Sequence, residues 1–438
     1  MKRASRIFLG LALFAFVGIV WFIVLGAETD VQRQDELIRQ AKDYLSNEIF
    51  ILALPLLEEA VEFDTERTFE AEGMLKDVYL QLIDQRGMRR NYLDLLSRQM
   101  SRSDAPVEVF VEAAEFHLEN NRIRDALNVL NYGISRTDSE TLIAMYENNR
   151  YTFRLGFNIY TDVTAFHEGT IGVKEGGFWG ILRSNGNVLI PSEYDRVSTF
   201  SGDRAIVQRD GEIFAVDRAN NRIALLEENA SDFGNFANNR LPLLINGKWY
   251  RATGSFELGS ATFDWIGMHS NGNAAALLDG RWGVIDSAAN WVIPAEYDAI
   301  IMDELGRAYA QGAVFVRQGD SVYLLVNGEQ VAGPFEDARP FGNEGYAAVK
   351  DNGRWGFIDI SGEVQIDFRF DDALSFGQHL AAVRIGDYWG YVSLFGELVI
   401  EADFLEAKSF DNGSAPVLTE RGWRFITLHE FMEGPGGL

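Results

Sequence analysis

The residues of this chain that could do chemistry are its five histidines and the aspartates that recur beside turns. The sequence has no HExxH motif, no pair of histidines at metal-ligand spacing and no cysteine, so it offers neither a zinc ligand set nor a thiol nucleophile. It also lacks a GxSxG elbow, a P-loop and a glycine-rich dinucleotide motif after a predicted strand. We therefore expect no catalytic residue, no cofactor and no metal.

The histidines themselves fit structural positions. His117 lies in a helical pattern, and His269 stands where a repeat described below otherwise has phenylalanine, as at Phe200 and Phe376. A histidine in that register is expected to be a surface or packing residue rather than a ligand.

The recurring aspartates have two interpretations. They follow a Trp-Gly stretch or an aromatic residue, at Asp286, Asp359, Asp195, Asp298 and Asp371. A ring of carboxylates could bind a hard cation such as Ca²⁺. Aspartate beside a turn also caps backbone amides without any metal, and no DxDxDG loop is present. We favour turn residues and leave calcium binding open.

Composition excludes other classes. The 438 residues carry a formal net charge of −26, which offers no electrostatic attraction to phosphate backbones, so we expect no nucleic-acid partner. The absence of cysteine suits an oxidising location outside the cytoplasm.

The first thirty residues predict a membrane anchor. Residues Ile7 to Ala27 form an uncharged apolar run, long enough to span a hydrocarbon core of about 30 Å. Lys2, Arg3 and Arg6 precede it, which places the N-terminus in the cytoplasm and the rest outside. We predict a single-pass anchor, and a cleaved signal peptide remains the alternative.

Residues 30 to 150 show paired segments at helical spacing. The stretches LPLLEEAVEFD (Leu54 to Asp64) and RIRDALNVLNYGIS (Arg122 to Ser135) resemble the second helix of tetratricopeptide-like hairpins. The resemblance implies a small α-solenoid. It serves either as a spacer between membrane and ring or as a groove for a peptide or helix.

Beyond residue 150 a Trp-Gly unit recurs, as in GRWGFIDISGEVQIDFRFDDALSF (Gly353 to Phe376). Degenerate copies have Ile213, Trp249, Val322 and Trp423 at the tryptophan position, which gives eight units at spacings of 33 to 40 residues. Residues 151 to 430 resemble the WG repeat family, and this resemblance implies a fold more than an activity. The positions that define the repeat are Trp179, Gly180, Trp249, Trp282, Gly283, Trp355, Gly356, Trp389, Gly390 and Trp423.

These tryptophans could stack on sugar rings or pack between units. Ile213 and Val322 replace two of them, which favours an apolar core, and the glycine that follows allows another backbone to approach closely. The repeat therefore predicts a fold and identifies no ligand.

The two ends of the repeat region complement each other. The last unit lacks its second half, whereas Tyr160, Val163 and Phe166 align with the second half of the next unit, 34 residues later. A ring needs such a split unit because it leaves no open sheet edge. We predict an eight-bladed propeller-like ring, with an open β-solenoid as the alternative.

The predicted chain thus has four parts: 1–29 with the anchor at 7–27, a helical domain at 30–150, the repeat domain at 151–430 and a tail at 431–438. We expect a membrane-anchored extracytoplasmic scaffold without catalytic chemistry that binds protein partners. The alternative is an ectodomain that binds or processes cell-wall glycan, with an envelope polymer as its partner.

Overall fold

A computed structural model describes residues 30–225 and 229–431 of the chain. The predicted anchor at 7–27 and the tail beyond residue 431 lie outside the described residues. Within the described ranges, no helix combines the length and apolar character that a membrane crossing requires. The described residues divide into two compact units, with the boundary between Tyr146 and Glu147.

Within the described residues seven helices precede the sheets, and consecutive helices from the second to the sixth pack on each other through short connections. Short connections favour antiparallel neighbours. The helices are α1 (30–46), α2 (Phe50–Ala60), α3 (Thr68–Gln81), α4 (Met88–Met100), α5 (Val107–Glu119), α6 (Ile123–Thr137) and α7 (Glu140–Asn149).

A buried carboxylate fastens α3 to the end of α4. Glu72 is 3% exposed and accepts hydrogen bonds from Arg102, at 2.6 Å, and from Gln99, at 2.9 Å. Because a buried charge is costly unless it is paired and hydrogen-bonded, this contact fixes the two helices in one arrangement.

The second unit consists of eight antiparallel sheets of four strands each. Blade 1 comprises β2 (Asp162–Val163), β3 (Thr170–Glu175), β4 (Phe178–Arg183) and β5 (Val188–Tyr194). Blade 2 comprises β6 (Arg196–Val197), β7 (Arg204–Arg209), β8 (Glu212–Asp217) and β9 (Arg222–Leu225). Blade 3 comprises β10 (Ala230–Phe233), β11 (Arg240–Ile245), β12 (Lys248–Thr253) and β13 (Leu258–Phe263). Blade 4 comprises β14 (Trp265–Ile266), β15 (Asn273–Leu278), β16 (Arg281–Asp286) and β17 (Trp291–Tyr297).

Blade 5 comprises β18 (Ala299–Ile300), β19 (Ala313–Gln318), β20 (Ser321–Val326) and β21 (Glu329–Phe335). Blade 6 comprises β22 (Asp337–Ala338), β23 (Tyr346–Asp351), β24 (Arg354–Asp359) and β25 (Val364–Phe370). Blade 7 comprises β26 (Asp372–Ala373), β27 (Leu380–Ile385), β28 (Tyr388–Ser393) and β29 (Leu398–Phe404). Blade 8 comprises β30 (Glu406–Ala407), β31 (Ser414–Thr419), β32 (Gly422–Leu428) and β1 (Phe153–Leu155).

Short turns set the register of each blade. The turn between β23 and β24 places Asn352 and Gly353 at φ of 50° and 76°, the geometry of a hairpin turn that matches strand twist. In every blade, the turn between the second and third strands lies on the same side of the ring as the connection to the next blade. We call this side the tryptophan face; in blade 1 it is represented by residues 175–178 and 194–196.

Strand β1 closes the ring. It pairs antiparallel with β32, with Phe153 opposite Leu428 and Leu155 opposite Ile426, so the last blade takes its outer strand from the beginning of the repeat region. The predicted eight-bladed ring is confirmed, and the open β-solenoid is excluded.

The three predicted closure residues follow β1. Tyr160 exchanges backbone hydrogen bonds with Trp423 of blade 8, at 2.9 and 3.0 Å. Val163 and Phe166 belong to blade 1, where they pack in the same apolar cluster as Trp423. The junction between blades 8 and 1 is therefore held by side-chain packing as well as by strand pairing.

Candidate binding cavity at the centre of the ring

The tryptophans of the repeat lie between neighbouring blades. Trp355, Trp389 and Trp423 are only 3%, 8% and 6% exposed. Trp389, for example, packs against Ala407 and Val417 of the next blade. In these blades the repeat tryptophan is a core residue that joins one sheet to the next.

The other copies divide into two kinds. Ile213 and Val322, which replace the tryptophan in blades 2 and 5, are buried. Trp179, Trp249 and Trp282, in blades 1, 3 and 4, are half-buried. Packing alone therefore does not account for every tryptophan of the repeat.

The glycine after the tryptophan lies against the backbone of the outer strand, at a β-bulge. A Cβ on any of the four glycines would lie within 2.7 Å of a carbonyl oxygen, which is too close for any side chain. The pairs are Gly180 with Ile190, Gly283 with Ile293, Gly356 with Ile366 and Gly390 with Ile400.

A cavity of about 520 Å³ opens among the first strands of blades 1 to 4. Because the edges of four sheets border one space, these strands form the inner edge of the ring. The walls include Asp162, Trp179, Arg196, Asp232, Trp249 and Trp265. Trp265 is not a repeat position, yet its ring lies 6.5 Å from that of Trp249 and 5.4 Å from that of Trp282.

A long connection in blade 5 forms the floor of this cavity. Residues 301–312 join β18 to β19, whereas six residues, 164–169, make the same connection in blade 1. Within it Leu305 is 5% exposed and packs with Ala237 and Met268 of blades 3 and 4. Asn235 Nδ2 donates to the Leu305 carbonyl at 3.0 Å, and Met268 N donates to the Gly306 carbonyl at 3.0 Å.

The same connection reaches the far side of the ring. Glu304 forms an ion pair with Lys408, which is nearly buried in blade 8. Burial raises the pKa of Glu304, and the nearby Lys408 opposes this effect only in part. The connection thus contacts blades 3, 4 and 8 and blocks the centre of the ring. Sequence analysis missed it, although the 40-residue spacing between Trp282 and Val322 is its signal.

Five segments of this region match the family model of the WG containing repeat, at residues 179–212, 282–320, 334–355, 355–389 and 389–423. The ring carries WG repeats. This confirms the resemblance inferred from the Trp-Gly units. No curated protein sequence matches the chain.

Solved structures with a similar course of the chain have low sequence identity. Hsv2p of Kluyveromyces lactis is 9% identical, with 62% of this chain and 97% of that chain covered and a TM-score of 0.37. The WD40 domain of Neurospora crassa Pan2 is 10% identical, with 64% and 90% covered and a TM-score of 0.34. A structure of YCF48 bound to D1 peptide is 12% identical, with 61% and 99% covered and a TM-score of 0.34. These similarities concern the fold alone.

The recurring aspartates of the WG repeats bind backbone amides at turns. Asp286 accepts from the amides of residues 288 and 290, and Asp359 accepts from those of residues 361 and 363. Asp195, Asp298 and Asp371 each accept from an amide of a hairpin turn, at 2.7 to 2.8 Å. Among the described residues, no group of three or more histidine, aspartate and glutamate side chains could hold a metal ion.

The carboxylates of the cavity are engaged by neighbouring groups. Asp232 pairs with Arg196, and Asp162 accepts from the amide of Val163 at 2.9 Å. Asp303, in the floor, pairs with Arg307 at 2.5 Å, and Glu304 pairs with Lys408 as described above. The cavity therefore offers fixed hydrogen-bonding groups between indole walls.

The two histidines singled out from the sequence are buried. His117 lies in α5, and burial lowers its pKa. His269 is fully buried in blade 4, where burial, with Arg251 and Arg240 nearby, lowers its pKa to about 3. Neither ring nitrogen of His269 has a hydrogen-bond partner within the described part of the chain. Both side chains are neutral at pH 7, and neither lines the cavity.

Proposed function

We propose that this protein is a non-catalytic scaffold of the cell envelope whose ring holds a segment of a protein partner in the central cavity. The observation that carries the proposal is a blind cavity with indole walls and engaged carboxylates. The lining combines three indole rings with a larger number of polar side chains, most of them held in place by ion pairs or hydrogen bonds, and convergent groups of both kinds are typical of binding sites. General acid–base catalysis instead needs a group poised to exchange a proton with the substrate, and Asp232, Asp303 and Glu304 are each held in an ion pair.

Trp265 supplies the sharpest test of the cavity, because blade 4 also contains a matched control. Trp265 lines the cavity, whereas Trp291 lies on the outer strand of the same blade against Phe263. We would crosslink the full-length chain in its native cells and compare the wild type with Trp265→Ala and Trp291→Ala. The proposal expects Trp265→Ala to lose a crosslinked protein that the wild type and Trp291→Ala both retain.

Equal retention of that protein by both variants would contradict the cavity as the binding site. Thermal midpoints of the purified variants separate a loss of binding from a loss of folding. A Trp265→Ala chain that unfolds at growth temperature would be replaced by Asp162→Ala, since Asp162 is exposed at the same cavity.

A second candidate function is the binding of envelope glycan. It is favoured by the half-buried rings of Trp179 and Trp249, because amphipathic indoles present large flat surfaces beside polar groups. Sedimentation of the chain with purified cell wall tests this alternative. If the wild type sediments, Trp265→Ala does not, and no protein crosslinks to either, the ligand is glycan and the protein-scaffold proposal is wrong.

We further propose that residues 7–27 anchor the chain with the ring outside the cytoplasm. The support is the uncharged apolar run preceded by three cations. Alkaline carbonate extraction of native membranes should leave the chain in the pellet, and protease added to intact spheroplasts should digest the ring. A chain released by carbonate, or a ring protected from protease, would contradict this proposal.

A further inference from the structure

The eight blades differ at one position of the tryptophan face. The residue at or just before the start of each inner strand has a polar side chain in seven blades, and in all seven that side chain forms a hydrogen bond with the backbone of the same blade. These residues are Thr161, Asp195, Ser231, Asp264, Asp298, Glu336 and Asp371. The eighth is Leu405, which is 45% exposed.

The residue opposite Leu405, on the blade that precedes this connection, also differs from its counterparts in three other blades. Blade 6 pairs Trp355 with Phe370, so Arg354 and Asp371 follow opposite each other, and they form an ion pair. Arg281 with Asp298 and Lys248 with Asp264 form the corresponding ion pairs in blades 4 and 3. In blade 7 the register is the same, with Trp389 opposite Phe404, but the two positions hold Tyr388 and Leu405.

Folding gives no reason for this exchange. Leu405 cannot make the hydrogen bond to the next turn that five carboxylates make at this position, and a hydrogen bond of that kind to a charged group stabilises a fold. It exposes apolar surface in return, and Tyr388 is 48% exposed beside it. When a residue differs from its counterparts in a repeat and the difference lowers local stability, we expect the residue to serve a function.

The neighbouring turns and connections extend the apolar surface. Ile385 is 44% exposed on the same turn, and Ile159 and Phe157, in the connection from blade 8 to blade 1, are 42% and 87% exposed. The side chain of Ile159 lies beside the hairpin turn of blade 8, at Gly422. Phe178, at the next turn, is 47% exposed. We call this set the apolar crescent: Phe157, Ile159, Phe178, Ile385, Tyr388 and Leu405.

Carboxylates without ion pairs surround the apolar crescent. Glu175, Asp387, Glu406 and Glu420 are exposed on the same turns and connections, and within the described residues none of them forms an ion pair. Arg421 is the exposed cation on these segments, and the partly buried Arg384 and Arg424 donate to the backbone carbonyls of Gly386 and Gly156. With a net charge of −26 on the chain, this rim repels anionic lipid and a second copy of the same face.

We propose that the apolar crescent is the docking surface for a protein partner whose contact region has apolar side chains at its centre and lysine or arginine at its rim. Interfaces with an apolar centre and a charged rim of complementary sign gain affinity from the centre and orientation from the rim. This inference rests on the proposed scaffold function and gives the chemistry of the partner. The crescent lies on the same face as the cavity, so one partner can contact both.

The decisive variant replaces two residues of the crescent with the residue types that other blades have at the same positions. Tyr388→Arg with Leu405→Asp restores the ion pair of blades 4 and 6 and the hydrogen bond to the next turn, and it leaves the net charge unchanged. We expect its thermal midpoint to equal or exceed that of the wild type. A loss of binding by this variant then cannot be assigned to misfolding or to net charge.

Binding is measured with the full-length chain and an amphipathic helical peptide made of leucine and lysine, with the leucine–glutamate peptide as its charge-reversed counterpart. The wild type should bind the lysine peptide and not the glutamate peptide. The double variant should bind it about tenfold more weakly, as expected for the removal of central interface residues. Phe395→Ser is the matched control, because Phe395 is 87% exposed but lies on a β28–β29 turn at the opposite face.

Three outcomes would overturn the proposal: equal binding of the lysine peptide by the wild type and the double variant, an equal loss in Phe395→Ser, or preference for the glutamate peptide. Vesicles of phosphatidylcholine with and without phosphatidylglycerol test the lipid alternative. Crescent-dependent sedimentation with either vesicle would also overturn it. None of these outcomes alters the Trp265 and Trp291 comparison, so failure of the crescent and failure of the cavity are distinguishable.

Discussion

Blades 6, 7 and 8 bury the tryptophan of the WG repeat, whereas blades 1, 3 and 4 leave it half-buried. The burial of the tryptophan correlates with the size of one residue, the one that directly follows the inner strand of the same blade. That residue is long in the first group, where it is Arg339, Leu374 and Lys408. It is short in the second group, where it is Thr164, Gly234 and Gly267.

The long residues cover the indole rings. The guanidinium of Arg339 lies 4.4 Å from the ring centre of Trp355, and the ammonium of Lys408 lies 5.2 Å from that of Trp423. Leu374 packs in the cluster that contains Trp389. A short residue cannot reach the ring, and Trp179 and Trp249 line the cavity instead, while Trp282 lies against Trp265. One neighbouring side chain therefore decides whether the repeat tryptophan becomes core or cavity wall.

The largest effect is expected where the two groups of blades meet. Phe153→Asp with Leu155→Asp should detach β1 from β32 and open the ring between blades 8 and 1. Both side chains pack on the apolar cluster of blade 8, so the substitutions remove this packing. They also leave the edge of the blade 8 sheet unpaired. We expect the free energy of unfolding to fall by about 5 kcal/mol, at the upper end for point substitutions, in urea titrations of the full chain.

Val364→Asp is the control for a new charge on an outer strand. Val364 lies opposite Ile358, as Leu155 lies opposite Ile426, but it is 51% exposed and its strand is continuous with blade 6. It should cost well under half as much. Equal losses in the two variants would show that closure by β1 contributes no more than any outer strand.

Truncating one tryptophan from each group tests the comparison directly. Trp355→Ala should lower the free energy of unfolding by about 3–4 kcal/mol, because it removes a buried aromatic ring and leaves a cavity. Trp179→Ala should lower it by roughly 1–2 kcal/mol, because its ring is already partly exposed at the central cavity. Urea midpoints of the two variants provide the measurement. A larger loss for Trp179→Ala would contradict the division.

His269 offers a change that should stabilise blade 4. Phe200, Phe376 and Phe410 hold the same repeat position in other blades, and the two nitrogens of the buried imidazole have no hydrogen-bond partner among the described residues. His269→Phe removes that unpaired polar group. We expect a gain of about 2 kcal/mol at pH 7, measured as a higher urea midpoint.

The pH dependence of that gain has a defined sign. The folded protein holds the pKa of His269 at about 3, below its ordinary value of 6.5. Between pH 6.5 and pH 3, His269 is protonated in the unfolded chain and neutral in the folded chain. The free energy of unfolding therefore falls by about 1.4 kcal/mol for each pH unit below 6.5, down to pH 3. His269→Phe should therefore show a growing advantage over the wild type as pH drops from 6.5 to 4. A constant difference would show that His269 is protonated in the folded ring.

The repeat predicts the ring well because its signals are local. Eight repeat positions give the number of blades, and the split unit that ends in β1 predicts closure. The cavity is less accessible to sequence analysis because it depends on contacts between distant residues. Trp265 lies outside the repeat motif, and the fold of residues 301–312 across the ring cannot be deduced from their spacing. Leu405 is visible as an exception only when the hydrogen bonds of the other seven positions are known.

The smallest effect should come from uncovering one buried tryptophan without removing it. Arg339→Ala takes away the guanidinium above Trp355 and its ion pairs with Asp337 and Asp372. Since both interactions are partly exposed to solvent, we expect a loss of only about 1 kcal/mol. Iodide quenching of tryptophan fluorescence should nevertheless rise, because a ring that was 3% exposed becomes open to the centre of the ring. Arg354→Ala, on the tryptophan face, should leave quenching unchanged. If Arg339→Ala also leaves it unchanged, the packing between blades, rather than the covering residue, determines how far each tryptophan is buried.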